Sequence, residues 1–286
     1  MAAKKVVKEE ESAVVVSSSN ALSTEVDYSS YGGTGFENQD NSDIQVPFLR
    51  ILQALSPEIK PVEKGGVAGA KAGMLFNTVT QECYDEVLFV PSVTKHIFNE
   101  WIPLTEGGGF VATYDVQDPF VQKCQLDAKA ADLPFGKIKT PDGHDLVETF
   151  DVYGILITPN SDPMPVIISF TSSKIKIYRK WMSSIRMFVL NTPNGKIKPD
   201  LFAHLTKIST QDEKNKAGQE YSNFRMAPAK GSLLESLLGS KDELFQAGRA
   251  MYDMVKAGIA KADMSTADKS EDGEARFDAD GNKIPF

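Results

Sequence analysis

The chain has 286 residues, of which 41% are hydrophobic, and it carries a formal net charge of -8. No apolar run approaches the roughly 20 residues that a membrane-spanning helix needs, so we expect no membrane partner. The two cysteines, Cys83 and Cys124, lie far apart and outside any CxxC motif. This spacing argues against a disulfide framework and against a structural zinc site. Because both ends are polar, we expect one core of roughly 180 to 200 residues with tails.

The charge is unevenly distributed along the chain. Residues 163–232 contain 12 Lys and Arg against 4 Asp and Glu, whereas residues 82–162 contain 5 against 14. A locally basic surface sets the affinity for phosphate, while acidic segments elsewhere keep a protein soluble and can compete for the same groove. The basic segment therefore predicts a nucleic-acid partner despite the acidic total.

The first 42 residues are rich in Ser, Glu, Gly and Asn and show little hydrophobic periodicity, so we predict a disordered arm. Their apolar run, residues 14–16, is too short for a signal-peptide core, so we expect the protein to stay in the cytoplasm. A short packing segment follows at residues 46–57, and a glycine-rich loop at residues 65–73. That loop lacks both the Walker ending and the GxGxxG order, so we interpret it as a linker and not as a phosphate cradle.

The body of the chain is predicted to be rich in β-strands. Alternating and β-branched runs predict one long strand or a hairpin at residues 87–102, and strands at residues 109–114, 150–158, 166–170, 202–209 and 221–227. Amphipathic periodicity predicts helices at residues 172–190 and 240–262. The acidic, turn-rich residues 115–147 are expected to form an excursion from the sheet.

This order of elements predicts a mainly β fold with helices, of the α+β class. Several short strands, an interposed helix and a closing hairpin are expected of an elaborated five-stranded OB-like barrel, here at residues 43–233. An open sheet or a sandwich fits the strand count as well. We expect residues 263–286 to form a disordered acidic tail.

The helix at residues 172–190 has two distinct faces. Ile175, Tyr178, Met182, Ile185 and Val189 follow the spacing of a buried stripe. Cations fall on the opposite side, where they can follow a phosphate backbone, and an aromatic residue at the border can stack on bases. The candidate DNA-binding residues of this region are Lys174, Lys176, Arg179, Lys180, Trp181 and Arg186. The alternative is a solvated basic face with the border aromatics in the core.

The closing hairpin also interleaves cations with aromatics, which is typical of a groove for single strands. Its candidate DNA-binding residues are Lys207, Lys214, Lys216, Tyr221 and Arg225. Strand alternation places Tyr221 and Arg225 on one face, and Phe224 and Met226 on the other. We expect the first pair to face outward and the second pair to lie in the core.

The sequence gives no sign of catalysis. His96, His144 and His204 are scattered and lack partners at metal-ligand spacing, and GxSxG, HExxH and Walker motifs are absent. Acidic pairs such as Asp85 and Glu86 are interpreted as surface charge. We therefore predict no catalytic residue, no metal and no cofactor.

The last residues place acids ahead of a terminal Ile-Pro-Phe. They include Asp278, Asp280, Ile284, Pro285 and Phe286. This terminus resembles the C-terminal tip of bacterial single-stranded DNA-binding proteins, which recruits replication and repair enzymes. The resemblance implies that the tip is caught by a partner pocket, with the acids adding electrostatic steering. The alternative is an arbitrary polar terminus.

A second resemblance concerns the core. The Pro-Phe-Leu-Arg-Ile-Leu-Gln run at residues 47–53 and the strand leading into the basic helix resemble a group of phage proteins. Together these features predict a non-enzymatic, phage-encoded protein of the host cytoplasm that binds single-stranded DNA and recruits replication or recombination enzymes. A homo-oligomer is compatible with this hypothesis. Two alternatives remain: a phage structural or assembly protein without DNA binding, and an accessory nuclease or annealing factor.

Overall fold

The computed structural model describes residues 45–262 except 135, 159, 160, 216, 217 and 219, together with residue 264 and the pairs 276–277 and 283–284. The predicted N-terminal arm and most of the predicted tail lie outside the described residues. The three helices are α1 (Pro119–Ala130), α2 (Lys174–Met187) and α3 (Glu243–Lys256). The strands are β1 (Gln45–Val46), β2 (Leu49–Ile51), β3 (Leu75–Asn77), β4 (Cys83–Tyr84), β5 (Glu86–Trp101), β6 (Phe110–Asp115), β7 (Asp145–Thr158), β8 (Ser161–Thr171), β9 (Leu190–Thr192), β10 (Gly195–Ile197), β11 (Thr206–Lys214), β12 (Glu220–Pro228), β13 (Lys261–Ala262), β14 (Arg276–Phe277) and β15 (Lys283–Ile284).

The main sheet is antiparallel and has six strands in the order β12-β11-β5-β7-β8, with β6 beside β5. Strand β5 is central because it is sixteen residues long and pairs with β7 along most of its length. Its other edge is shared, since residues 86–89 pair with β11 and residues 97–101 pair with β6. The single long strand settles the choice between a long strand and a hairpin at residues 87–102.

One face of this sheet is covered by α2 and by the small sheet β2-β3-β4. The core on this side contains Phe89, Phe170, Ile208 and Phe224, all of which are almost completely buried. Large apolar side chains contributed by seven strands and one helix make this the principal hydrophobic core.

The opposite face is covered by α3, which packs through Met251 and Val255 against Val90 and Tyr153. The helix approaches the sheet closely at Gly248, where an added Cβ would lie 2.8 Å from atoms of both Phe202 and Val90. The predicted C-terminal amphipathic helix is therefore an integral layer of the core. Strands β1 and β13 pair in parallel beside this layer.

The α+β class is confirmed, but the described strands do not close a barrel. Instead of pairing with β12, the edge of β8 meets residues 47–48, since the Ile167 amide donates to the Pro47 carbonyl at 2.9 Å. On the other side of the gap, the Gln53 side chain makes two hydrogen bonds with the Ser222 backbone, of 2.8 and 3.1 Å. The early packing segment thus lies between the two edge strands and prevents a continuous ladder.

Several elements were not predicted from sequence, among them strands β3 and β4, one helix and one hairpin. Helix α1 lies inside the predicted irregular excursion and packs through Val121 and Cys124 against Phe98 and Leu146. A short hairpin of β9 and β10 follows α2. Strand β11 begins at Thr206, four residues later than predicted, because a 3-10 helix occupies Leu201–Ala203. Within the described part of the chain, no helix is long and apolar enough to cross a bilayer.

Candidate nucleic-acid interface

A groove of about 550 Å³ lies between α2 and the hairpin of β11 and β12. We call it the α2–β12 groove. Lys176 and Lys180 lie on its α2 wall, and Arg225 lies on its β12 wall. Apolar surface from Trp181, Phe224, Met226 and Leu233 also lines the groove. The groove therefore joins the two regions that the sequence singled out, the basic helix and the closing hairpin.

The predicted faces of α2 are largely confirmed. Ile175, Met182 and Ile185 are buried, while Tyr178 is half-buried. Val189 is exposed because the helix ends at Met187, before the periodic pattern does. The polar face is exposed throughout, at Lys176, Arg179, Lys180, Ser183 and Arg186.

Two predicted DNA contacts on this helix are buried. Trp181 is only 7% exposed and lies in the core beside Phe170, at 6.1 Å between ring centroids. It borders the groove but lacks the open ring face that base stacking requires. Lys174, the first residue of α2, is also buried, so it does not belong to the exposed cation stripe. For Trp181 the structure therefore agrees with the alternative given in the sequence analysis, in which the aromatic at the border of the helix face lies in the core.

Glu213 of β11 lies on the groove wall and accepts hydrogen bonds from several neighbouring side chains, a role that was not predicted from the sequence. Its Oε2 accepts hydrogen bonds from Lys176 Nζ at 2.7 Å, Tyr221 OH at 2.8 Å and Asn223 Nδ2 at 3.2 Å. Burial alone would raise the pKa of Glu213, but the hydrogen bonds from Lys176, Tyr221, Asn223 and Gln211 lower it to about 2. The carboxylate is therefore ionised at neutral pH, and it holds Lys176 in an ion pair.

Three other predicted cations also lie in ion pairs. Arg179 contacts Glu148 at 3.4 Å, and Glu148 also contacts His96 at 3.0 Å. Lys207 pairs with Glu86 at 3.4 Å, and Lys214 pairs with Glu220 at 3.0 Å. Lys216 lies outside the described residues. Of the predicted DNA contacts that the structure describes, three are exposed and have no ion pair to a described residue: Lys180, Arg186 and Arg225.

Burial along β12 follows the predicted alternation at two of its residues. Phe224 is buried and Arg225 is exposed, as predicted. Met226 is half-buried against the core, and Tyr221 is half-buried with its hydroxyl on Glu213. Asn223 shares the face of Tyr221 and Arg225 but is fully buried, and its side-chain amide donates to the Ser173 hydroxyl at 3.5 Å, next to the start of α2.

The predicted partner-binding tip is described only in its backbone at Ile284, which pairs with Arg276. Asp278, Asp280, Pro285 and Phe286 lie outside the described residues.

Glu100, away from the groove, accepts hydrogen bonds from His144 Nδ1 at 2.7 Å and Tyr114 OH at 2.6 Å. Among the described residues, no three His, Cys, Asp or Glu side chains are grouped to hold a metal.

These features describe an α+β protein with a groove that is basic on both walls. The family model of the Pam3 phage gp34-like protein matches residues 16–261. Because this match covers most of the chain, the protein belongs to the Pam3 phage gp34-like family. The membership supports the predicted phage affiliation. No curated protein and no solved structure matches the chain.

Proposed function

We propose that this protein binds single-stranded DNA without sequence specificity in the α2–β12 groove. The observation that carries the proposal is that both walls of the groove bear cations and that apolar surface lies between the two walls. Lys180 and Arg225 lie on opposite walls, each exposed and without an ion pair to a described residue. Such a site can hold phosphates at its rims while bases contact its apolar surface.

The roles of the individual residues differ from those expected from sequence. Lys180, Arg225 and the neighbouring Arg186 are the proposed phosphate contacts. Met226 and Leu233 are the proposed base contacts, whereas Trp181 is assigned to the core beneath the groove. Lys176 forms an ion pair with Glu213, so we propose that it holds α2 against β11 and expect it to contribute little to phosphate binding.

The remaining parts of the hypothesis follow from this binding role. The protein acts without catalysis in the host cytoplasm, and its acidic Ile-Pro-Phe tip recruits replication, recombination or repair enzymes. We also propose a relationship to the OB fold. It is supported by residues 47–53, which contact both β8 and β12 where an OB barrel would close.

The decisive experiment is titration of a labelled poly-dT oligonucleotide at salt concentrations between 50 and 200 mM. Each phosphate contact to a single strand contributes about -0.7 to the slope of log K against log salt. The double variant Lys180→Ala/Arg225→Ala should therefore lower affinity and reduce the slope by about 1.4. Duplex DNA of equal length should bind much more weakly to the native protein.

The matched control is Lys129→Ala/Arg249→Ala, which removes one exposed Lys and one exposed Arg from α1 and α3. It should leave affinity and slope close to those of the native protein. Absence of binding at low salt would reject the proposal in favour of a phage structural or assembly protein. Equal effects of the two double variants would place the DNA outside the α2–β12 groove.

A further inference from the structure

Strand β6 is an edge of the main sheet with a free outer side. It pairs with β5 on one side, and no described residue pairs with its other side. Helix α1 covers a face of this region through contacts that include Tyr114 with Phe120, at 4.9 Å between ring centroids. The face that carries Val111 is open, and Val111 is 42% exposed.

The sequence of this edge is symmetric about its centre. Residues 110–114 read Phe-Val-Ala-Thr-Tyr, which places an aromatic, a β-branched residue, Ala, a β-branched residue and an aromatic in order. Natural edge strands are commonly protected by Lys, Pro or an inward charge. This run contains none of them, and its register shift with β5 falls at Val111, between the pairs Glu100–Ala112 and Trp101–Phe110.

We propose that β6 pairs antiparallel with β6 of a second copy of the chain, about a two-fold axis at Ala112. In this register Ala112 lies opposite the partner's Ala112, and Val111 lies opposite the partner's Thr113. Phe110 then lies opposite the partner's Tyr114. Antiparallel sheets favour aromatic pairs and β-branched pairs at such positions, so both kinds of pair are complementary to themselves.

The position of the charged residue of β6 is also compatible with this register. The only charged residue of β6 is Asp115, and it falls opposite the partner's Gly109, so it does not face a second carboxylate. Val111 leaves solvent in the pair, which removes one of the exposed large apolar side chains of the described chain. The β6 edge shares no residue with the α2–β12 groove, so this inference does not rest on the proposed function.

The first test is size-exclusion chromatography with light scattering on the full chain over a range of concentrations. The native protein should approach twice 31.3 kDa as concentration rises. Val111→Lys should remain monomeric at the same concentrations because lysines block edge pairing. The matched control is Val79→Lys, which changes an equally apolar side chain that is 55% exposed on another surface and should still dimerise.

The second test fixes the register. Antiparallel partners have Cα atoms about 4.5 to 5.5 Å apart, within the range that a disulfide spans. In a Cys83→Ser background, Ala112→Cys should therefore crosslink under mild oxidation, whereas Val111→Cys should crosslink poorly. A native protein that is monomeric at every concentration overturns the proposal. A dimer that survives Val111→Lys, or that crosslinks equally at both positions, overturns it too.

Discussion

Replacing the buried Asp151 by Asn should change how the stability of the protein depends on pH. Asp151 lies on β7 between Lys95 of β5 and Ser169 of β8, and it is 1% exposed. Burial raises its pKa from an ordinary value of 3.8 to about 6, against the opposing effects of the Ser169 hydrogen bond and Lys95. The Ser169 hydroxyl donates to Asp151 Oδ1 at 2.5 Å.

The sign follows from proton binding. The folded carboxyl keeps its proton to a higher pH than the unfolded carboxyl, so the folded state binds more protons between about pH 4 and pH 6. Stability is therefore lost as pH rises through this window. At about 1.36 kcal/mol per pKa unit, the loss attributable to Asp151 is about 3 kcal/mol at pH 7. Asp151→Asn has no such loss, because the amide does not ionise.

Urea unfolding of both proteins at pH 4, 5, 6 and 7 measures this effect. The free energy of unfolding of Asp151→Asn, minus that of the native protein, should increase by about 2 kcal/mol between pH 4 and pH 7, since the unfolded carboxyl is already partly ionised at pH 4. The control is Asp142→Asn, at an exposed turn position, which should show no comparable increase. A difference for Asp151→Asn that stays constant across this range would refute the reasoning.

Three further predictions concern the core and the tip. Gly154→Ala should lower the free energy of unfolding by about 1 to 3 kcal/mol in urea, because its Cβ would lie 2.3 Å from the Val90 carbonyl oxygen, whereas Gly239→Ala has open space and should not. Trp181→Ala should cost about 3 to 5 kcal/mol, yet Trp181→Phe should keep DNA affinity within about twofold; a folded Trp181→Phe that loses binding would contradict the buried role. Deleting residues 284–286 should leave DNA affinity unchanged but abolish capture of a host replication or repair enzyme, and retention of the same partners in a pull-down would make Ile-Pro-Phe a coincidence.

Local patterns predicted what is local in this fold. The faces of α2 follow from the spacing of Ile175, Met182 and Ile185, because helix periodicity is set within a few residues. Helix α1 was missed although Asp118 and Pro119 form a standard start, with Asp118 accepting from the Phe120 amide at 2.8 Å. The acidic and irregular composition around it concealed that signal.

Contacts between distant residues were not predictable in the same way. Lys176 and Glu213 are 37 residues apart, and only the packing of α2 beside the β11–β12 hairpin brings them together. The same holds for Gln53 and Ser222, whose hydrogen bonds decide how the sheet edges are joined. Composition correctly located a basic region, but it could not distinguish the cations held by carboxylates from Lys180 and Arg225.

The parallel pairing of β1 with β13 brings the start and the end of the described core side by side. Gln45 lies beside Lys261, and Val46 lies beside Ala262, at the short spacing of neighbouring strands. A short engineered linker could therefore join residues 45 and 262, with new termini opened in the glycine-rich loop at residues 65–73. Such a circular permutant would carry the complete groove without either end segment, so the contribution of those segments to binding could be measured separately.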